Sequence, residues 1–225
     1  MRLSVILPVL NEAEVIGTVL RRLKEQAPDV ERIVVDGGSS DGSAEIARAE
    51  ARVIVTERGR ARQMNAGAAA AVGDWLLFLH ADTQLPANFA AELAAAETAG
   101  FHAGAFRLRI AGRHWLLPLL AWGATLRTRW CGIALGDQAL FVQHRLFSEL
   151  GGFPLLPLME DYAWSRRLRQ AGIRLYLARG SAVTSGRRWD RDGFWHTWWR
   201  MRQNYRHFDR TGEAQSLRRA YPDAR

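Results

Sequence analysis

The sequence predicts an α/β protein built on a mostly parallel sheet with helices on both faces. Three observations carry this. Short apolar runs with β-branched members recur through residues 3–83, and each ends in polar or acidic residues. Between the runs lie stretches with apolar residues at helical spacing, the pattern of parallel strands joined by crossover helices. The clearest run, residues 76–79, stands between Gly73-Asp74 and His80-Ala81-Asp82-Thr83, as a strand buried on both faces would.

The elements follow in order. Residues 3–9 (LSVILPV) form a buried strand by their β-branched content. Asn11-Glu12-Ala13-Glu14 then opens a helix, with Asn11 as its cap and acidic residues at the positive end of the helix dipole. Val15, Ile16, Val19, Leu20 and Leu23 give that helix an apolar face. Residues 32–35 are a second strand ending at Asp36, and a turn-rich loop at 37–42 leads to a short helix at 43–49. A strand at 53–56, an alanine-rich helix at 60–71 and the strand at 75–79 complete the first half.

The second half is less regular. Residues 105–110 (AFRLRI) alternate apolar and basic residues, as a strand with one wet face does. Residues 113–130 carry Trp115, Trp122 and Trp130 among leucines, which suits either core or a flap lying over the site. Gly136-Asp137-Gln138 precedes a strand at 139–142. Gly151-Gly152-Phe153 ends a helix around Phe147. Met159-Glu160-Asp161 starts another, which includes Trp164 and Leu168 and stops at Gly172.

Composition narrows the function classes. The chain has 225 residues, nearly half of them hydrophobic, and no low-complexity tract, so it can bury a sizeable core. Cys131 is the single cysteine, which excludes an internal disulfide and a cysteine-based zinc cluster and favours a reducing, cytoplasmic setting. The opening apolar run is too short for a signal peptide, and Pro118 and Gly123 interrupt the longest later one, so no membrane span is expected. The net charge is +8; from Arg187 onward there are ten arginines against five acidic residues. Nucleic acid, an anionic membrane or a phosphorylated substrate could each answer that charge, but no nucleic-acid-binding module is present.

The alternation of strand and helix suits nucleotide binding, yet the turn after the first strand reads PVLNE, which is neither a dinucleotide fingerprint nor a Walker loop. Asp36, at the tip of the second strand, can accept a hydrogen bond from a base or a ribose, or can simply cap its own loop. Asp82, at the tip of the fourth, can hold a divalent cation or start a turn.

SVILPVLNEAEVI, VVDGGSSDGS, GRARQMNAGAAAAVGDWLLFLHADT, GDQALFV, GGFPLLPLMEDYAWSRRLRQAG and SGRRW together resemble the family 2 glycosyltransferases, which have the GT-A fold. Within that family the chain is similar to the small transferases found beside radical-SAM and selenium-linked genes, some labelled arsenosugar glycosyltransferases. The resemblance implies one GT-A domain over 1–225, with a donor-nucleotide half at 1–83, a mixed acceptor half at 84–189 and a C-terminal helix and tail at 190–225. It implies transfer from a nucleotide-sugar donor to an unidentified acceptor, a small molecule or a lipid-linked one, with a divalent cation, Mn2+ or Mg2+.

Roles follow by the same resemblance. Pro8, Asn11, Glu12 and Asp36 hold the nucleoside, and Arg62 faces the donor; Arg62 on a solvated helix face is the alternative. The family's Asp-x-Asp motif departs here to His80-Ala81-Asp82. Asp82 is left as the carboxylate for the metal, and His80 either touches the ion or orients the loop. Asp137, Gln138 and Trp164 belong to the sugar and acceptor side. Asp161 is the general base and Glu160 its partner, either contacting the acceptor or anchoring the loop, against the alternative that both merely stabilise a helix N-terminus. Residues 181–189 form a loop closing over the diphosphate, with Arg187 or Arg188 pairing to it.

The competing class is a non-catalytic module that binds nucleotide-sugar or a membrane surface. The last stretch bears on it. Phe194, Trp195, Trp198, Trp199, Met201, Tyr205 and Phe208 fall mainly on one side of a helix ringed by arginines. That stripe suits an anionic membrane, packing against the catalytic domain, or a homodimer contact.

Overall fold

The apolar runs form the centre of an eight-stranded sheet in a computed structural model that describes residues 1–212 and 214. The first half runs β1 (Leu3–Val9), α1 (Ala13–Gln26), β2 (Glu31–Asp36), α2 (Ser43–Arg48), β3 (Arg52–Val55), α3 (Arg60–Ala70), β4 (Trp75–Phe78) and β5 (Thr83–Gln84). The second runs α4 (Phe89–Thr98), β6 (Ala103–Ala111), α5 (Leu117–Cys131), β7 (Phe141–Gln143), α6 (His144–Glu149), α7 (Glu160–Gln170), β8 (Tyr176–Ser185), α8 (Arg187–Asp192) and α9 (Phe194–Thr211). A 3-10 turn, Gly136–Gln138, precedes β7.

The strand order is β3-β2-β1-β4-β7-β6-β8-β5. β1 lies parallel to β2 and β4, and β2 parallel to β3. Beyond β4 the sheet is mixed: β7 is antiparallel to both its neighbours, β6 and β8 are parallel, and β5 is antiparallel to β8.

Alternation along β1 explains the two layers of core. Leu3, Val5, Leu7 and Val9 point to one face, where α1 and α4 supply Ile16, Leu20, Phe89 and Leu93. Ile6 points to the other, where α3, α6 and α7 supply Met64, Ala68, Phe147 and Leu168. Gly67 lets α3 lie close on β1: a Cβ there would come within 2.4 Å of Ile6 Cγ2. With both faces covered, β1 and β4 are continuous apolar runs, as the sequence reading expected.

Two local expectations are corrected, and the core alternative for the tryptophans of 113–130 is removed. Asn11 does not cap α1. The helix begins at Ala13, and the β2–α2 connection and the first residue of α2 serve its end: Ser43 Oγ accepts from the Glu12 N–H at 2.8 Å and Asp41 Oδ2 from the Ala13 N–H at 3.0 Å. Residues 181–189 are not a loop; they are the end of β8 and the start of α8. Trp115, Trp122 and Trp130 are not core but exposed, so α5 lies on the surface. Among the described residues no helix is long and apolar enough to cross a membrane.

Candidate active site

The order of the central strands places a crevice beyond the carboxyl ends of β1 and β4, where open α/β sheets take ligands. A cleft of about 550 Å3 opens there. Pro8 and Glu12 line it from the end of β1, and His80 and Asp82 from the end of β4. Asp137, Asp161, Arg187 and Arg188 complete the predicted residues that reach it. Strand tips, a helix N-terminus and a 3-10 turn thus bring together residues more than a hundred positions apart.

Asp161 is fixed by backbone donors. The Gly136 N–H donates to its Oδ2 at 2.7 Å, and its Oδ1 takes the Tyr162 N–H at 2.7 Å. His80 packs against the same glycine: a Cβ at Gly136 would lie 2.8 Å from the imidazole Nε2 and 3.3 Å from Asp161 Oδ2. Burial, with Arg60 beside it, pulls the His80 pKa down to about 4 against the opposing pull of Asp82 and Asp161. The ring is therefore neutral at neutral pH, packed against the glycine that donates to Asp161.

With Arg127 and Arg191, Arg60 is one of the charged cleft residues that the sequence reading missed. It lines the cavity and pairs with Glu160 at 3.3 Å. Burial lowers its pKa, but Glu160, Asp161 and Asp82 outweigh burial and hold it above the ordinary value. Glu160 is itself buried, and that burial raises its carboxyl despite Arg60. Glu160 therefore anchors the start of α7 rather than contacting an acceptor. Asp137 carries a buried Oδ1 with no hydrogen-bond partner. Burial raises its pKa to about 6, with Arg127 opposing and Asp161 and Asp82 reinforcing.

Several predicted site residues do not reach the cleft. Arg62 turns to solvent and pairs with the exposed Glu57. Trp164 is fully buried among Phe147 and Phe153, with ring centroids 5.5 and 5.4 Å away. Gln138 is spent on an internal network, its Oε1 accepting from Thr128 Oγ1 at 2.9 Å and its Nε2 donating to the Phe106 carbonyl at 3.1 Å. Asp36 accepts the Gly38 and Ser39 N–H groups and the Ser39 hydroxyl, which leaves it capping its own loop. Asn11 sits in a left-handed conformation, φ 55°, and its Oδ1 accepts the Ser40 N–H at 2.9 Å. Asn11 and Asp36 thus shape the loops beside Pro8 and Glu12. Ala139, at φ 47°, and Met159, at φ 69°, are the other non-glycine residues in that strained region among the described residues, and Met159 lines the cleft.

The outer wall of the cleft comes from α5 and α9, through Leu120 and Arg127 on one and Met201 and Tyr205 on the other. Asp209 ties α9 to α7, accepting from Tyr162 Oη and Arg166 Nη1, each at 2.9 Å. The C-terminal stripe therefore divides. Phe194 and Phe208 are buried and Met201 and Tyr205 pack inward, whereas Trp195 and Trp199 face out. The part of the predicted tail beyond residue 214 lies outside the described residues.

Among the described residues no three His, Cys, Asp or Glu side chains form a cage for a metal ion. Asp82, with the orphaned Asp137 oxygen and Asp161 nearby, nonetheless fits a hard cation that takes one or two carboxylates and fills its remaining positions from phosphate and water.

Comparison with known proteins agrees with this fold. Residues 4–112 match the model described as "Glycosyl transferase family 2". A PGL/p-HBAD biosynthesis glycosyltransferase of Mycobacterium bovis is 41% identical over 91 residues, 36% of this chain and 36% of that protein. A 4,4'-diaponeurosporenoate glycosyltransferase of Staphylococcus haemolyticus is 34% identical over 99 residues, 40% of this chain and 26% of its own. The matches thus span about a third of the curated relatives' length. A mannosyltransferase from Pyrobaculum calidifontis, solved with GDP-Man and Mn2+, superposes with a TM-score of 0.64 at 20% identity, covering 99% of this chain and 68% of that one. Glucosyl-3-phosphoglycerate synthase from Mycobacterium tuberculosis, solved with Mn2+, UDP and glucosyl-3-phosphoglycerate, gives 0.61 at 21% identity, covering 82% and 70%. The fold is that of the GT-A glycosyltransferases.

Proposed function

We infer that this chain, a family 2 glycosyltransferase by the match over residues 4–112, moves a sugar from a nucleotide-sugar donor to an acceptor hydroxyl with inversion of configuration. The observation that carries the reading is the meeting of Asp82, Asp161 and Arg188 in one cleft at the switch between β1 and β4. The nucleoside lies over Pro8 and Glu12, on a floor shaped by the loops that Asn11 and Asp36 hold. The diphosphate lies between Asp82 and the arginines of α8, Arg187 and Arg188, which can pair with its oxygens. A Mn2+ or Mg2+ ion held through Asp82 would neutralise the departing diphosphate as a Lewis acid.

Asp161 takes the acceptor proton as the new bond forms at the anomeric carbon, and the nucleoside diphosphate leaves from the opposite face. Its backbone hydrogen bonds hold the carboxylate in place before substrate arrives, with His80 packed against the Gly136 that donates one of them. A neutral His80 serves as a packing and orienting group. Arg60 and Glu160 set the charge around the base from the buried side.

The test is a thermal-shift screen of UDP- and GDP-sugars with Mn2+ or Mg2+, followed by donor hydrolysis with the best ligand. A donor that raises the melting temperature only with metal, and is then hydrolysed, supports transfer. Metal-dependent binding with no hydrolysis or transfer would leave the non-catalytic binding module in its place.

A further inference from the structure

We propose that the outer faces of α5 and α9 form one docking surface for an anionic lipid bilayer. The proposal stands apart from the transfer chemistry. Both helices use their inner faces against the protein: Leu117 of α5 packs with Trp189 and Phe194, and Leu120 and Met201 pack beside them. What they leave outside is large and apolar. Trp115, Leu119, Trp122 and Trp130 recur at spacings of four, three and eight residues, so they share one side of α5 and its leading turn. Trp195 and Trp199 stand four apart on α9. These five tryptophans are between 52% and 79% exposed.

The two stripes are joined. His114 stacks on Phe194 at 4.5 Å and lies 6.2 Å from Trp115, while Phe194 meets Trp195 edge-on at 5.2 Å. The exposed indoles of both helices thus stand at the ends of one chain of ring contacts.

Charge identifies the partner. α5 carries no acidic residue, and the one on α9, Asp209, is engaged by Tyr162 and Arg166 of α7. Arg113 and Arg129 stand exposed near the two ends of the α5 stripe. Arg202 and Arg206 continue the Trp195–Trp199 line at helical spacing, both exposed, and the Arg202 guanidinium lies 5.4 Å from the centre of the Trp198 ring. Indoles with their N–H groups at headgroup level and arginines beside anionic phosphates make up the surface of an interfacial helix. A protein partner would have to supply both carboxylates and a broad apolar face; a bilayer supplies both without specific geometry. Because Leu120 and Met201 line the cleft from the inner sides of these same helices, the docked protein would open its site towards the lipid.

The test is vesicle flotation, at low and physiological salt, with equal parts phosphatidylglycerol and phosphatidylcholine beside phosphatidylcholine alone. Wild type is expected to float with the anionic vesicles and to release with salt. Trp115→Ser with Trp195→Ser should weaken binding at least roughly tenfold, since each indole loses most of a large apolar surface. Arg202→Gln with Arg206→Gln should weaken it about twenty-five-fold at low salt, about fivefold for each arginine. All four side chains are exposed, and far-UV circular dichroism checks that both variants fold. Three results each overturn the proposal: wild type that stays with the sediment, equal binding to neutral vesicles, or variants that bind as wild type does. A lipid-independent dimer in light scattering that the tryptophan variant dissociates would assign the surface to a second copy instead.

Discussion

Replacing Arg60 with methionine tests the buried charge pair behind the proposed base. Glu160 is 2% exposed and Arg60 27%, with 3.3 Å between their charged atoms. Removing one partner of a buried pair costs about 3–5 kcal/mol, because the remaining charge stays desolvated. Arg60 keeps contact with solvent, so the low end applies, and we expect Arg60→Met to cost about 3 kcal/mol at pH 8. Burial already raises the Glu160 carboxyl, and losing Arg60 raises it further. The sign then follows: above the carboxyl's unfolded pKa the folded variant binds the extra proton, so its stability falls as pH rises and the deficit shrinks towards pH 5. Glu160→Gln leaves Arg60 with Asp161 and Asp82 and should cost less. The double variant should recover most of the loss, with a coupling energy of about 2 kcal/mol or more. Urea unfolding followed by tryptophan fluorescence at pH 5 and pH 8 measures all four corners of the cycle. Losses that add within about 0.5 kcal/mol, or a deficit independent of pH, would refute the pairing as the source of stability.

Three further predictions concern the cleft. Asp82→Asn should abolish the metal-dependent part of nucleoside diphosphate affinity, and titration calorimetry with and without Mn2+ that shows no change would remove Asp82 from the metal site. Asp161→Asn can keep an oxygen towards the Gly136 N–H, so it should fold normally and lose turnover by roughly 100-fold or more with donor affinity nearly intact; near-normal turnover would place the base elsewhere. Asp137 titrates at about 6 in the fold against 3.8 for the free side chain, so ligand-free wild type should lose stability as pH rises from 4 through 6, by at most roughly 3 kcal/mol. Asp137→Asn should remove that loss and melt higher than wild type at pH 8; calorimetric scans with equal pH dependence for the two proteins would show that the carboxyl is solvated.

What the sequence made legible was whatever local pattern determines. The central strands, the helices between them and the strand-tip position of Asp82 all follow from apolar runs and their ends. Arg60 and Arg62 differ in which face of α3 they occupy. On α3 the buried residues Ala61, Gln63, Met64, Gly67 and Ala68 centre about 30° from Arg60 and about 170° from Arg62, at 100° per residue. Only Arg60 could turn inward. Trp164 and Gln138 were beyond such a reading. Trp164 follows the acidic pair on α7, but which face meets Phe147 and Phe153 depends on how α7 lies across the sheet. Gln138 is claimed by Thr128, ten residues earlier on another element. For Asp36 and Asn11 the nearest donors are loop N–H groups, which short polar side chains reach first.

The distribution of charge in the cleft ties these observations together. The carboxylates Asp82, Asp137 and Asp161 come from a strand tip, a 3-10 turn and a helix start, all backed by the sheet. Arg187 and Arg188 come from α8, which follows β8 at the sheet's outer side and leads directly into α9. Burial, reinforced by repulsion from Asp161 and Asp82, raises the Asp137 carboxyl, so the cleft holds that acid at some expense to stability. A diphosphate alone would add to that repulsion, and a cation alone would leave the arginines of α8 facing it. A diphosphate with its cation meets both demands at once, the cation against the carboxylates and the phosphate oxygens against α8. The proposed site is thus built for the pair rather than for either component, and α8 and α9, which carry the phosphate arginines and half of the proposed lipid surface, are the elements through which membrane contact and donor binding would be felt together.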